Sequence, residues 1–213
     1  FTVPTSGQSS YFVQFLNTAD SGTTSLAGGN GSAGNMFNII NTSGGPLTIT
    51  GFAQGPGSGN SSVTGAAMIV YYTPGDYTTQ SAASWSQIAS GTVNLTSSAA
   101  TGYLPVNVTI PTGGTYGFFV GLSSGSVQYT NGTGTAGSSP WYVHPKFTVT
   151  EGLGGSYPNP VNNPRCWNGQ VFFGSAGCSD IRKEVAFAIN TDTAMAMGTG
   201  VETNPSTGQF DFD

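Results

Sequence analysis

Apolar residues in this chain nowhere recur at helical spacing over three consecutive turns, which sets aside every helix-built architecture. What recurs is a short run rich in Val, Ile, Phe, Tyr and Thr, closed each time by a cluster of Gly, Pro, Ser or Asn. β-branched and aromatic side chains suit a pleated surface, and the small and polar residues between them supply turns. These runs predict strands near 10–16, 35–41, 46–52, 66–73, 86–95, 103–110, 115–122, 126–130, 141–150, 166–173 and 183–190. Alternation of period two is clearest in Leu47 and Ile49 and in Val106, Val108 and Ile110. Residues 78–85 have room for one helical turn and no more. About eleven short strands joined by turns predict an all-β, two-sheet antiparallel β-sandwich of jelly-roll type, with a closed barrel as the alternative.

A chain of 213 residues fits one such domain. At that length folding buries roughly 70% of the surface that the unfolded chain exposes, so neither a metal nor dense disulfides are required. Thirteen Phe, nine Tyr and three Trp supply the large apolar area a core needs. The low-complexity stretches GSAGN, GPGSGNSS and NGTGTAGSS are closely flanked by predicted strands and read as loops rather than linkers, and no repeat of fixed period is present. Residues 1–213 are therefore expected to form a single sandwich, with 1–33 and 174–213 as terminal extensions engaged in subunit contacts.

Charge is the unusual quantity. Only 6% of residues are Asp, Glu, Lys or Arg, where about 25% is usual. Weak mutual repulsion favours association, and a surface of Ser, Thr, Asn and Gly suits a protein that packs against copies of itself. With Lys146, Arg165, Arg182 and Lys183 as its whole basic complement and a net charge of -5, the chain cannot assemble the basic patch that nucleic acid demands. No stretch approaches the ~20 apolar residues of a membrane helix. The sequence begins at Phe1 rather than Met, as expected of a mature secreted product whose leader has been removed. Cys166 and Cys178 bracket a glycine-rich turn, and in an oxidising compartment they are expected to form a disulfide. Closing that loop would add ~3 kcal/mol in the chain-entropy model. The alternative is a pair of buried thiols.

Each catalytic motif has a plainer explanation. Gly29, Gly31, Gly34 and Gly132, Gly134, Gly137 both match G-x-G-x-x-G, but no helix follows to meet a pyrophosphate, so no cofactor is expected. Gly121, Ser123 and Gly125 match the nucleophile elbow G-x-S-x-G, yet the motif joins two predicted strands and reads as a hairpin turn. The one histidine, His144, is followed at once by a proline. Nine acids are scattered, mostly in turns or tails. Asp76 reads as a turn residue, and Glu151, at the end of a strand, is the best single catalytic candidate. One His and no EF-hand loop leave only a calcium held by loop carbonyls and one or two Asp. The chain is thus expected not to be an enzyme. Of six Asn-x-Ser/Thr sites, Asn30, Asn60 and Asn131 sit in predicted loops and are the glycosylation candidates, although composition alone accounts for that many.

The two ends carry strongly apolar strands. Tyr11, Phe12, Val13, Phe15 and Leu16 lie near the start, and Val185, Phe187 and Ile189 alternate with small or polar residues near the finish. Each segment either completes its own sheet or adds to the sheet edge of a neighbouring copy. Head-to-tail addition of that kind does not close and builds filaments. Between the ends, GNMFNIIN, LTITGF, VYYTPGDYT, SWSQIASGTV, LPVNVTIPTGGTYGFFVG, VQYTNGTG and PRCWNGQVFF follow one another over residues 34–173. This succession resembles a β-sandwich module of secreted and surface-anchored bacterial proteins. Its motifs are turn and core motifs, so the resemblance implies a fold and a cell-surface location, not a chemistry. Cys166 ahead of Trp167 and the segments at both ends depart from the pattern. The expected function is a structural subunit of an extracellular assembly, a filament, sheath or coat. The alternative is a carbohydrate-binding module that stacks polysaccharide on Tyr77, Trp85, Trp141, Tyr142 or Tyr157.

Overall fold

The computed structural model describes residues 20–175 and, beyond them, four strand segments. In chain order the strands are β1 (Ser9–Val13), β2 (Asp20–Thr23), β3 (Asn30–Ser32), β4 (Gly34–Asn41), β5 (Leu47–Gln54), β6 (Val63–Pro74), β7 (Ser86–Leu95), β8 (Leu104–Ile110) and β9 (Thr115–Leu122). They continue as β10 (Val127–Asn131), β11 (Pro140–His144), β12 (Phe147–Thr150), β13 (Gly152–Gly154), β14 (Asn162–Trp167), β15 (Gly169–Ser175), β16 (Lys183–Phe187), β17 (Val201–Thr203) and β18 (Phe210–Phe212). The chain divides into two units, Leu16–Cys178 and the two ends together, Phe1–Phe15 with Ser179–Asp213.

The Leu16–Cys178 unit is an all-β sandwich of two antiparallel sheets. One sheet runs in the order β3-β10-β14-β13-β4-β9-β6-β7, with β12 also on β4 and β11 on β12; the other runs β2-β15-β5-β8. It contains fourteen strands, β2 to β15, rather than the eleven or so expected for the whole chain. Two expected strands are in fact pairs. Pro145, which has no N–H to donate, and Lys146 form the turn of a β11–β12 hairpin within 141–150. The stretch 166–173 divides at Asn168, where the chain leaves one sheet for the other. The remaining additions, β2, β3 and β13, are three or four residues long and too polar or glycine-rich to carry a legible pattern. The single helical turn expected in 78–85 is two 3-10 turns, Tyr77–Thr79 and Ala82–Ser84.

Alternation explains which side chains meet. Phe37 and Ile39 of β4, Phe118 and Val120 of β9 and Met68 and Val70 of β6 face Leu47, Ile49 and Phe52 of β5 across the sandwich. The intervening residues Met36 and Phe119 point the other way and build a second cluster with Tyr77, against which Tyr71, Trp85, Leu153 and Tyr157 pack. β4 and β9 are accordingly buried along almost their whole length, on both faces. Tyr157, in the segment after β13, stacks on Tyr71 with ring centroids 3.8 Å apart and leans on Phe119 at 5.4 Å.

The crossing between sheets is pinned at Trp167, Asn168 and Gly169. Trp167 is fully buried, stacks on Phe37 at 4.8 Å and meets Phe52 edge-on at 5.8 Å. Its Nε1 donates to Gln54 Oε1 at 3.0 Å, and Gln54 Nε2 donates to the Asn168 carbonyl at 3.0 Å. The Trp167 carbonyl accepts from Trp141 Nε1 at 2.8 Å and from Thr24 Oγ1 at 3.1 Å. At Gly169 a Cβ would collide with the Trp167 ring and the Ala53 carbonyl, so only glycine lets the chain turn there.

Among the described residues, side-chain polar atoms of Asn35, Thr50, Tyr77, Arg165 and Asn168 are buried without a partner, and Asn35 is the one with neither polar atom bonded. Asn35, fully buried opposite Val120, makes no hydrogen bond through either side-chain polar atom. Burying an unpaired amide is unfavourable, and an apolar residue of similar shape removes the penalty. Asn35→Leu is therefore expected to raise the unfolding free energy by about 1–3 kcal/mol in urea titrations, the desolvation cost of one orphaned polar group. Trp167→Ala, by contrast, opens a cavity in the core and is expected to lower it by about 3–5 kcal/mol.

Candidate functional site

The end segments, where function was expected to lie, pair with each other. β1 and β16 form an antiparallel two-stranded ribbon in which Tyr11 stands opposite Val185, Phe12 opposite Glu184 and Val13 opposite Lys183, while Phe187 stands opposite Ser9. β17 and β18 form a second ribbon. Phe15, Leu16 and Ile189 lie outside the described residues.

Within the sandwich, the two sides differ in how their strand edges are protected. On one side the terminal strands are short, β3 with three residues and β2 with four. β2 is overlaid by the β11–β12 hairpin, because a Cβ on Gly22 would lie 2.9 Å from Phe147 and 3.0 Å from Tyr142. It also carries a charge, Asp20, whose Oδ2 lies 3.8 Å from Lys146 Nζ. On the other side the terminal strands are β7, ten residues long, and β8, seven. Neither contains a charged residue, and the pair holds one proline, Pro105. Of the devices that normally guard an edge, brevity, charge and cover mark the first side, whereas the second has Pro105 and the register shifts in the β6–β7 and β5–β8 ladders.

A cleft opens on the outer face of the larger sheet, with a volume of about 440 Å³. Met36 of β4 and Leu153 of β13 contribute apolar surface, Pro158 and Pro160 line it from the segment after β13, and Thr78, Asn159 and Asn163 bring polar groups. Tyr77 lines it too. The residue is 6% exposed, and its hydroxyl is buried without a hydrogen-bond partner. The turn that carries Tyr77 is held by Asn38, whose Nδ2 donates to Asp76 Oδ1 at 2.8 Å and to the Gly137 carbonyl at 2.9 Å, while its Oδ1 accepts from the Tyr77 N–H at 3.0 Å. Burial raises the Asp76 carboxyl, but the bonds from Asn38 and from Thr78 outweigh it and hold the group below its ordinary value.

The catalytic candidates are occupied as scaffolding. Glu151 is buried between β12 and β13, and its carboxylate accepts the Gly134 N–H at 2.9 Å and the Thr133 N–H at 3.3 Å. Its backbone is tied to the same loop, with Glu151 N–H donating to the Ser139 carbonyl and Gly137 N–H to the Glu151 carbonyl. The second glycine motif, residues 132–137, is thus a loop clamped by a carboxylate, and the first leads into β3 and β4. The turn at Ser123 does not make the expected hairpin. β9 lies between β4 and β6 whereas β10 lies between β3 and β14, so the turn joins two strands that are not neighbours. His144 Nδ1 accepts the Lys146 N–H at 3.2 Å, and its ring stacks on Phe147 at 5.0 Å.

Cys166 is fully buried and bridges to no other cysteine among the described residues, and its expected partner Cys178 lies outside them. Burial, then the nearby Glu151 carboxylate, push the thiol up to about 12 against the opposing effect of Arg165. A thiol so raised stays protonated at neutral pH and is a poor nucleophile. Among the described residues no three His, Cys, Asp or Glu side chains converge as a metal site would require, and no helix is long and apolar enough to cross a membrane. Asn30, Asn60 and Asn131 are exposed. Asn30 Nδ2 donates to Asn131 Oδ1 at 3.4 Å, so the two candidate sites lie side by side.

Of the aromatics proposed to stack on sugar, Trp141 and Tyr142 pack against the sandwich core instead, whereas Tyr77, Trp85 and Tyr157 share the cluster beside the cleft. Neither the cleft nor the contrast between edges was anticipated from sequence. No family model, no curated protein and no solved structure matches the chain.

The Asp76 network has a pH signature. A carboxyl whose folded value lies below its ordinary 3.8 adds stability that is present above that value and is lost as pH falls through the folded one. The urea midpoint of the native protein is expected to exceed that of Asp76→Asn near neutral pH, with the gap closing as the solution is acidified below about pH 4.

Proposed function

We propose that the protein is a non-enzymatic structural subunit of an extracellular assembly, joined copy to copy by strand addition along the β7–β8 side of the sandwich. The observation that carries this reading is the ten-residue β7 edge, which ends its sheet without a charge or a proline. Alternate residues of an antiparallel edge turn both N–H and C=O outward, so β7 offers about five such residues to an incoming strand. Its side chains suit the task, with Val93 and Leu95 buried inward and Ser90, Thr92 and Asn94 exposed. Low charge removes the repulsion that would otherwise keep copies apart. The β1–β16 ribbon adds a second argument. A two-stranded ribbon is marginal by itself in water, and one assembled from both chain ends gains stability by joining a larger sheet. The disulfide expected between Cys166 and Cys178 belongs with this extracellular reading, and its signature is the loss of both thiol hydrogens in non-reducing mass spectrometry.

Sedimentation velocity across a concentration series, with negative-stain microscopy of the most concentrated sample, tests the assembly. The native protein is expected to form growing species. The double variant Ser90→Lys, Thr92→Lys, which sets charge on the solvent face of β7 and leaves Val93 and Leu95 in place, is expected to remain monomeric. Native protein that stays monomeric at every concentration overturns the proposal, as does assembly that the two lysines leave intact.

A further inference from the structure

Of the aromatic pairs among the described residues, Tyr71 with Tyr157 is the closest. Their ring centroids lie 3.8 Å apart and their planes 13° from parallel, where aromatic pairs ordinarily sit about 4.5–7 Å apart. In such a stack the carbons of one face lie over the carbons of the other, whatever the rotation of either ring in its own plane. Tyr72 and Tyr116, on the same sheet, offer a contrast, with centroids 6.1 Å apart and planes at 41°. Tyr71 and Tyr157 are both half-buried, so each keeps part of its surface in solvent. Burial, and then the Tyr71 phenol, hold the Tyr157 phenol above its ordinary value, which marks the two phenols as neighbours.

The stack bridges a strand and a segment that is not one. Tyr71 stands in β6, opposite Phe119 of β9. Tyr157 stands in residues 155–161, between β13 and β14, and that segment contains two prolines, Pro158 and Pro160, with no N–H to give to a ladder. Gly155 N–H donates to the Gly34 carbonyl at 2.9 Å. Beyond that bond the Tyr157 ring rests on Tyr71, Phe119 and Trp85.

A tyrosine that loses one electron and its phenolic proton becomes a phenoxyl radical, with unpaired spin on the oxygen and on the ring carbons ortho and para to it. The para carbon already carries Cβ, so two such radicals join through ortho carbons. The orbitals that form this bond stand perpendicular to the ring planes, and stacking aims them at one another before the reaction begins. We propose that Tyr71 and Tyr157 are an oxidative cross-linking site, at which a haem peroxidase fed with hydrogen peroxide joins the two rings as dityrosine. Each ring gives up one electron and its phenolic proton, and the carbon–carbon bond forms. Each ortho hydrogen then moves as a proton to the oxygen of its own ring and restores a phenol. Hydrogen peroxide takes up the two electrons and two protons and leaves as two waters. The bond fastens residues 155–161 to β6, where the prolines deny that segment a ladder. It belongs to the single chain and forms whether or not copies assemble through β7.

Oxidation of the full chain in dilute solution with a haem peroxidase and hydrogen peroxide tests the site. The monomer band is cut from a denaturing gel, reduced and digested, and its peptides are sequenced by mass spectrometry. The expected product is a linked pair of peptides lacking two hydrogens, joined at Tyr71 and Tyr157, with the fluorescence of dityrosine. Its yield is expected to exceed that of any Tyr72–Tyr116 link by about tenfold or more, because only the first pair is stacked. Linked protein is expected to unfold at a higher urea concentration than unlinked protein. Tyr71→Phe and Tyr157→Phe each keep the ring but form no phenoxyl radical. Each is expected to abolish the link and to leave the melting temperature of the unoxidised protein unchanged. Absence of the link from the monomer, or a link that either variant leaves intact, overturns the proposal. So does a yield no higher than that for Tyr72 with Tyr116, or an equal yield from protein oxidised while unfolded in urea.

Discussion

Everything in the sandwich turns on the three residues Trp167, Asn168 and Gly169. In one step the chain passes from the larger sheet, where Trp167 pairs with Tyr129, to the smaller, where Gly169 pairs with Gln54. Such a crossing exposes backbone groups that belong to neither ladder, and a buried unpaired carbonyl or amide is unfavourable. Here they are consumed. The Trp167 and Asn168 carbonyls accept from Trp141, Thr24, Gly55 and Gln54. The indole that makes this possible is also the largest fully buried side chain, so the same residue ties the sheets together through its backbone and fills the space between them with its ring.

A second constraint follows from where the remaining apolar side chains go. β4 and β9 are buried on both faces, and the outer face can be covered only by segments that are not strands. Those segments need anchors, and the few polar groups of the interior provide them. Asn38 reaches outward to hold the turn at Asp76 and Tyr77, and Glu151 reaches outward to hold residues 132–139. The cleft is what remains between segments anchored in this way.

The fold was largely legible in the sequence because its signal is local. Runs such as Ser86–Leu95 and Thr115–Leu122 carry the β-branched and aromatic residues of a strand and end in turn residues, and both bounds coincide with the structure. Short strands such as Asn30–Ser32 and Gly152–Gly154 were not legible, since they exist only because a neighbour pairs with them. At Gly152 the backbone of Met36 passes so close that no side chain fits, a fact of tertiary contact. The hairpin expected at Ser123 and the loop partners of Glu151 were hidden for the same reason. A Gly-x-Ser-x-Gly stretch between two strands reads as a hairpin until the other strands that separate its neighbours are in view, and a carboxylate at a strand end does not disclose which distant loop amides it accepts from. The cleft draws on β4, the Tyr77 turn and the segment after β13, and no single stretch of chain announces it.

The lone ion pair among the described residues, Asp20 with Lys146, lies on the surface at 3.8 Å, with both side chains half exposed. Almost nothing that holds the sandwich together is therefore electrostatic between full charges. The Debye length falls from about 30 Å to about 3 Å between dilute and molar salt, yet a molecule so built gives the added ions very little to screen. Its cohesion rests mainly on apolar burial and hydrogen bonds, so its architecture is expected to change little between fresh water and brine.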